Sequence, residues 1–340
     1  MRRNQRLERH SPTGHAAYHD LLRLLLDAQV SDLRGTASQV QRGDRSYWYD
    51  SYRVGNSVRK TYIGEDSPEL RDRIARHEAL RAAAKARAEE QTRLVRILRA
   101  EGFQSLDAAT GSLVSALAQS GVFRLGGTVI GTHAFRLYES ELGLRYRFDE
   151  MAQTGDLDIA SFERLSLALD DEAEPPVAEV LRAFEFDPVP TVENTPAWRW
   201  RQSRGQALVE FLTPAFAEEG PRPLAALGVT AQALRHLNFL IADPIPAAVL
   251  YRSGVLVQIP RPERFAIHKL IVAERREGRD RLKAAKDRRQ AAFLIAALAE
   301  DRPHELRDAY EDALSRGAKW RDRLAASLAR MPEAAQALAG

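Results

Sequence analysis

Two short stretches of this chain carry residue types suited to phosphate chemistry. Asp156-Leu157-Asp158 is one, and Gly131-Thr132, at the end of the apolar run Thr128-Val129-Ile130, is the other. Successive side chains of a strand point to opposite faces, so Asp156 and Asp158 share a face, about 7 Å apart along the strand. Carboxylates so placed can hold one or two divalent cations, and Mg²⁺ takes oxygen donors of this kind. A glycine turn at the mouth of a helix lets backbone N–H groups approach a phosphate. A third acid, Glu210, interrupts the apolar run QALVEFLTP, with Leu208 on its own face and Val209 and Phe211 on the other. A carboxylate placed alone in an apolar strand is costly, which makes its presence informative. The pattern points to a magnesium-and-nucleotide site.

The elements that must position these residues follow from periodicity and punctuation. Leu21, Leu22, Leu24, Leu25 and Val30 predict a helix over 16–33, after a loose charged tail over 1–15. RSYWYDSYRVGNSVRKTYIG over 45–64 predicts a β-hairpin turning at Gly55-Asn56, with Arg53, Arg59 and Lys60 outward. It serves either as a basic, aromatic finger for RNA or as a packing element whose rings seat on helices. Asp66-Ser67-Pro68-Glu69 opens a helix expected to run unbroken to Arg99, with Asp66 as its cap. Asp107 opens another, near 108–119. A core strand within 122–130 leads into the glycine turn, and a short helix is expected over 177–184. Strands are expected in AWRWRQ, QALVEFLTP, LNFLIADPIPAAVL and GVLVQIP, and helices from Arg264 onward. Trp198 and Trp200 share a strand face, for stacking a base or for packing.

Composition bounds the rest. A chain of 340 residues with 44% hydrophobic residues has room for more than one domain. With no cysteine, disulfides, thiolate zinc sites and a cysteine nucleophile are excluded. No stretch approaches the roughly 20 apolar residues of a bilayer span, and the basic start lacks a signal-type apolar run, so a cytoplasmic protein is expected, with no membrane partner. The net charge of +3 is small, but residues 261–289 hold eleven Arg or Lys against five Asp or Glu. That segment and the hairpin lean toward RNA.

The order of strand, Gly-Thr turn, helix, Asp-x-Asp strand and later acidic strand resembles the nucleotidyltransferase fold of the DNA polymerase beta superfamily. FRLGG, GTHAF, GDLDIA, VEFLTP and PRPERFAIHKLIVAERR are more closely similar to a bacterial family of nucleotidyltransferase-fold proteins, over roughly residues 45–300. The toxin subunits of abortive-infection toxin–antitoxin pairs are more distantly similar. The chain departs from the compact members in the longer gap between turn and first Asp, near 143–155, and in having Glu as third acid.

The resemblance implies an α/β core with a mixed sheet over 104–262, an N-terminal helix–hairpin–long-helix extension over 1–103 and a helical region over 263–340. It implies metal-dependent transfer of a nucleotidyl group from an NTP to an RNA or protein acceptor. Asp156, Asp158 and Glu210 would be the catalytic metal ligands for Mg²⁺ (or Mn²⁺), Glu210 also helping to deprotonate the acceptor. Gly131, Thr132 and Lys269 would contact the triphosphate. Lys286-Asp287 would have a structural role first. Lys269 could instead pair with a carboxylate, and His133 could touch the nucleotide or be satisfied within the fold. Two rival readings stand beside this one: an inactive fold that binds RNA or a partner, and a toxin restrained by an antitoxin partner. The enzyme reading expects the three carboxylates to converge on a shared, open cavity, and it fails if Glu210 points away or is sealed by a salt bridge.

Overall fold

The computed structural model describes residues 7–339, apart from 32, 34, 55–56, 146–154, 170, 192–195 and 277–280. In α1 (Pro12–Ser31), Tyr18, Leu21 and Leu25 form one buried stripe. Of the tail expected over 1–15, residues 1–6 lie outside the described residues, and the part just before α1 is not loose: His10 is buried, stacks on Phe103 at 3.6 Å and bonds Glu139 Oε1 at 3.0 Å.

Strands β1 (Thr36–Arg42), β2 (Arg45–Val54) and β3 (Ser57–Glu65) form an antiparallel sheet, so the expected hairpin carries an extra strand. Its Gly55-Asn56 turn lies outside the described residues. Tyr49 and Tyr62 are buried, whereas Arg59 and Lys60 are exposed. The aromatic residues therefore pack and the basic ones face solvent.

The single long helix is instead α2 (Pro68–Ala75), α3 (His77–Ala82) and α4 (Ala84–Ala100), bent at Arg76 and Ala83. Leu70, Ile74 and Leu80 pack with Val30 and Ile63, while Leu94, Val95 and Leu98 pack with Tyr18, Leu21 and Leu25. Two cores pull on two faces, which local helix propensity does not register. Arg87 donates to the Leu80 carbonyl at 2.6 Å across the bend. Ser67, not Asp66, caps α2, accepting from the Leu70 N–H. Asp66 instead accepts from the Trp48 indole at 2.7 Å.

Asp107 caps α5 (Ala108–Gln119) as expected. Then come β4 (Thr128–Ile130), α6 (Gly131–Leu142), β5 (Asp156–Ala160), α7 (Glu163–Ala168) and α8 (Val177–Ala183). Strands β6 (Phe186–Pro188), β7 (Arg199–Gln202), β8 (Leu208–Pro214), β9 (Gly220–Leu224) and β10 (Val229–Leu234) follow. The main sheet is ordered β4-β5-β8-β10-β9, with β7 joining β8 and β6 joining β7. It is mixed: β5 and β10 run parallel to β8, β4 and β7 antiparallel to their neighbours. Leu157, Ile159, Val209 and Phe211 bury one face of β5 and β8 in the largest core cluster.

The segment from Leu237 begins not as a strand but as one helical turn, α9 (Leu237–Leu240), before β11 (Ile245–Val249) pairs with β12 (Val255–Ile259). A short buried apolar run does not distinguish the two by periodicity. The chain closes with α10 (Pro262–Ala273), α11 (Arg281–Asp301), α12 (Pro303–Ser315), α13 (Ala318–Leu328) and α14 (Pro332–Ala339). Among the described residues, no helix is long and apolar enough to cross a membrane.

Candidate active site

Strand register assembles the site. Ile130 pairs with Asp158, Asp158 with Glu210, and Glu210 with Arg199. Facing residues in register share a face of the sheet, so an acid–acid–arginine row crosses three adjacent strands. Asp156 lies two residues before Asp158, on the same face and beside Leu208. Asp156 is exposed, and Asp158 and Glu210 are half-buried.

The glycine turn belongs to the same place. Gly131 has φ +66°, and a Cβ placed on it would stand 2.3 Å from Asp158 Oδ2. Only glycine allows both that backbone and that approach. No side chain caps α6, whose first residues are Gly131 and Thr132. Its N-terminal amides therefore begin beside the Asp158 carboxylate, where a phosphate could meet both. The insertion expected near 143–155 falls largely outside the described residues.

The electrostatics are uneven. Burial pushes the Asp158 carboxyl up to about 7, helped by the Glu210 and Asp156 carboxylates and opposed by Lys269 and Lys283. Like charges crowd this carboxyl, and a bound cation would relieve it. Glu210 Oε1 accepts from Arg199 Nε at 2.6 Å. The side chains of Arg199 and Glu210 remain 38% and 19% exposed, so the pair is open to solvent and not sealed. Trp198 backs the Arg199 guanidinium at 4.5 Å, and Trp200 is buried beneath Arg182. Trp200 is packed in the core, and Trp198 is half-buried against Arg199.

Lys269 is engaged. Its Nζ donates to Asp287 Oδ1 at 2.6 Å, and Arg276 Nε donates to Asp287 Oδ2 at 2.8 Å. Its charge is felt at Asp158 although its ammonium is bound to another carboxylate. Lys283 is exposed and Lys286 half-buried on α11. Burial lowers the pKa of Lys286, Lys269 lowers it further, and Asp287 and Asp156 oppose the shift. His133 is buried, and desolvation, then Arg136, hold it down to about 4, so its ring is neutral near pH 7. Its Nδ1 has no hydrogen-bond partner.

Among the described residues, no three His, Asp or Glu side chains stand preassembled to hold one ion. Asp156 and Asp158 have the donor chemistry of a magnesium site, and Asp158 has the electrostatic demand for one. Glu210 stands in register beside Asp158 but is held through Oε1 by Arg199. Arg199 was missed from the sequence, yet a signal was there. The tight turn at Ser203-Arg204-Gly205 sets the strand register, and that register puts Arg199 opposite Glu210.

A family profile described as nucleotidyltransferase matches residues 108–315, and a domain of unknown function (DUF6788) matches residues 15–72. No curated protein is significantly similar. A solved structure, of an antigenic nucleotidyltransferase-like protein from Paracoccidioides brasiliensis, aligns at 14% identity with a TM-score of 0.33, covering 65% of this chain and 94% of that one.

Proposed function

Because the chain belongs to the nucleotidyltransferase family, we propose that it moves a nucleotidyl group from a nucleoside triphosphate to an RNA or protein acceptor at the row formed by Asp158, Glu210 and Arg199. The observation that carries this reading is the approach of Gly131 to Asp158, with Glu210 in register beside it. The glycine turn and the acids are parts of one site.

Asp156 and Asp158 would hold Mg²⁺ or Mn²⁺, which when bound neutralises triphosphate charge and organises it for in-line transfer. The amides at Gly131 and Thr132 receive phosphate oxygens, with the α6 dipole in their favour. Lys283 and Lys286 supply positive charge from α11, and Lys269 does so through its field, without direct contact. Glu210 accepts the proton of the attacking acceptor hydroxyl. Arg199, bonded to Glu210 Oε1 and 38% exposed, can turn from that carboxylate to the anionic substrate. Breaking the O–P bond releases pyrophosphate, and the acceptor oxygen bonds the same phosphorus.

The test incubates full-length protein with α-labelled NTPs, Mg²⁺, and fractionated RNA or protein. Label appearing in one acceptor fraction and lost with Asp158→Ala supports the reading. Labelling retained by that variant rejects it.

A further inference from the structure

We infer that the cavity between the end of β10, the end of α10 and the start of α13 binds a phosphate-bearing anion, at a site separate from the acid row. The cavity has a volume of about 380 Å³ and is lined by Arg235, Arg275, Arg316, Lys319, Arg323 and Trp320, among others. Five permanent cations around one concavity is an arrangement that repels itself until an anion enters. Two carboxylates offset them in part: Glu219 pairs with Arg275 at 3.2 Å and Asp312 with Arg316 at 2.9 Å. Among the described residues lining the pocket there is no acid, and Arg323 donates to the neutral ring of His236, Nε2, at 2.9 Å.

The backbone around the cavity is also unusual. His236 sits at φ +75°, a left-handed conformation that a residue with a Cβ rarely adopts. That geometry holds its ring edge-on to Trp320 at 4.7 Å, at the wall of the cavity. Gly317 at the mouth of α13 has φ +111°, and no side chain caps this 11-residue helix. Its N-terminal end adds a positive dipole to the arginines. Burial first, then Arg275, Arg323 and Arg235, hold the His236 ring down to about 4. Burial, Arg275 and Arg235 likewise lower Arg323. Burial leads both shifts, and the neighbouring arginines add to them.

The location separates this cavity from the acids. Asp156 pairs with Leu208 at the start of β8, whereas Leu234, next to Arg235, pairs with Pro214 at its end. The two sites thus lie toward opposite ends of one strand. An arginine-rich pocket with planar donors suits phosphate oxygens, from a nucleic-acid backbone or from a free small anion. This inference does not require the transfer reaction to occur.

Calorimetric titration of the full chain tests it, with pyrophosphate and with a single-stranded RNA hexamer as probes. Divalent cations are left out, so that the acid row lacks its bridging ion. Arg235→Gln/Arg275→Gln should weaken both probes at least about tenfold, the scale of one or more charge-assisted hydrogen bonds. Lys319→Glu, at an exposed position, should weaken them in the same direction and guards against a folding defect in the double variant. Arg59→Gln, an exposed change on β3 away from both the pocket and the acid row, should bind as the wild type does. Tighter, salt-dependent binding of the RNA assigns the site to backbone phosphates. Pyrophosphate binding as tightly as the RNA assigns it to a free anion. Equal binding by wild type and pocket variants, or a loss that follows Arg59→Gln instead, would overturn the inference.

Discussion

Asp287 is buried and Asp158 half-buried, and the fold treats their charges in opposite ways. Burial pushes Asp287 up, but Lys269 and Arg276 outweigh it, and the carboxyl ends below its usual range. Burial pushes Asp158 up as well, and its nearest acids push it further, to about 7. One aspartate is a satisfied tie between α10 and α11. The other is a carboxylate left short of positive charge beside a glycine turn. The structural ion pair and the candidate site differ in what the protein withholds from the group.

Removing each group should break the molecule in opposite senses. Asp287→Ala strands Lys269 and Arg276 against a largely buried position and should cost about 3–5 kcal/mol in urea unfolding. The same measurement on Asp158→Asn should show a gain at pH 8 of about 1–3 kcal/mol, since a neutral amide removes a crowded charge. A loss of stability in Asp158→Asn would contradict the comparison.

Acidity sharpens it. Between about pH 4 and 7 folded Asp158 keeps a proton that the unfolded chain gives up. Its contribution is therefore full below about pH 4 and declines as pH rises to 7. The advantage of Asp158→Asn should shrink as pH falls from 8 to 5. Buried histidines act with the other sign. Desolvation holds His268 down to about 3 and His133 down to about 4. Their contribution is complete above about pH 6.5 and is lost as pH falls below it, as the unfolded chain takes up protons first. Thermal melts across pH 4–8 for the wild type and His268→Gln should show the wild type's acid loss reduced in the variant.

The smallest effect belongs to Arg199. It is more than a third exposed, so Arg199→Gln should change stability by less than about 1 kcal/mol. It should nevertheless tighten Mg²⁺ binding a few-fold, read by thermal shift, because Glu210 is released toward Asp158. Unchanged Mg²⁺ affinity would show that Arg199 does not restrain Glu210.

The sequence carried the pieces of this site better than their joining. Asp156 and Asp158 on one strand face, Gly131 opening a helix and Glu210 within an apolar strand all follow from alternation and punctuation. What brings Gly131 against Asp158 is the antiparallel pairing of β4 with β5, which no local pattern encodes. The same holds for Lys269 on Asp287, whereas the turn at 203–205 already carried the register that sets Arg199 opposite Glu210. In the fold, β9 carries two prolines, which suit its place at the sheet edge, and no strand was expected there. The bend of the expected long helix arose because two separate cores claimed its two faces.

The most direct measurement is transfer of label from an α-labelled NTP by wild type and Asp158→Asn, each checked for folding by thermal melting. The account predicts labelled acceptor with the wild type and none with a variant that melts no lower at pH 8. Equal labelling by the two proteins would contradict it.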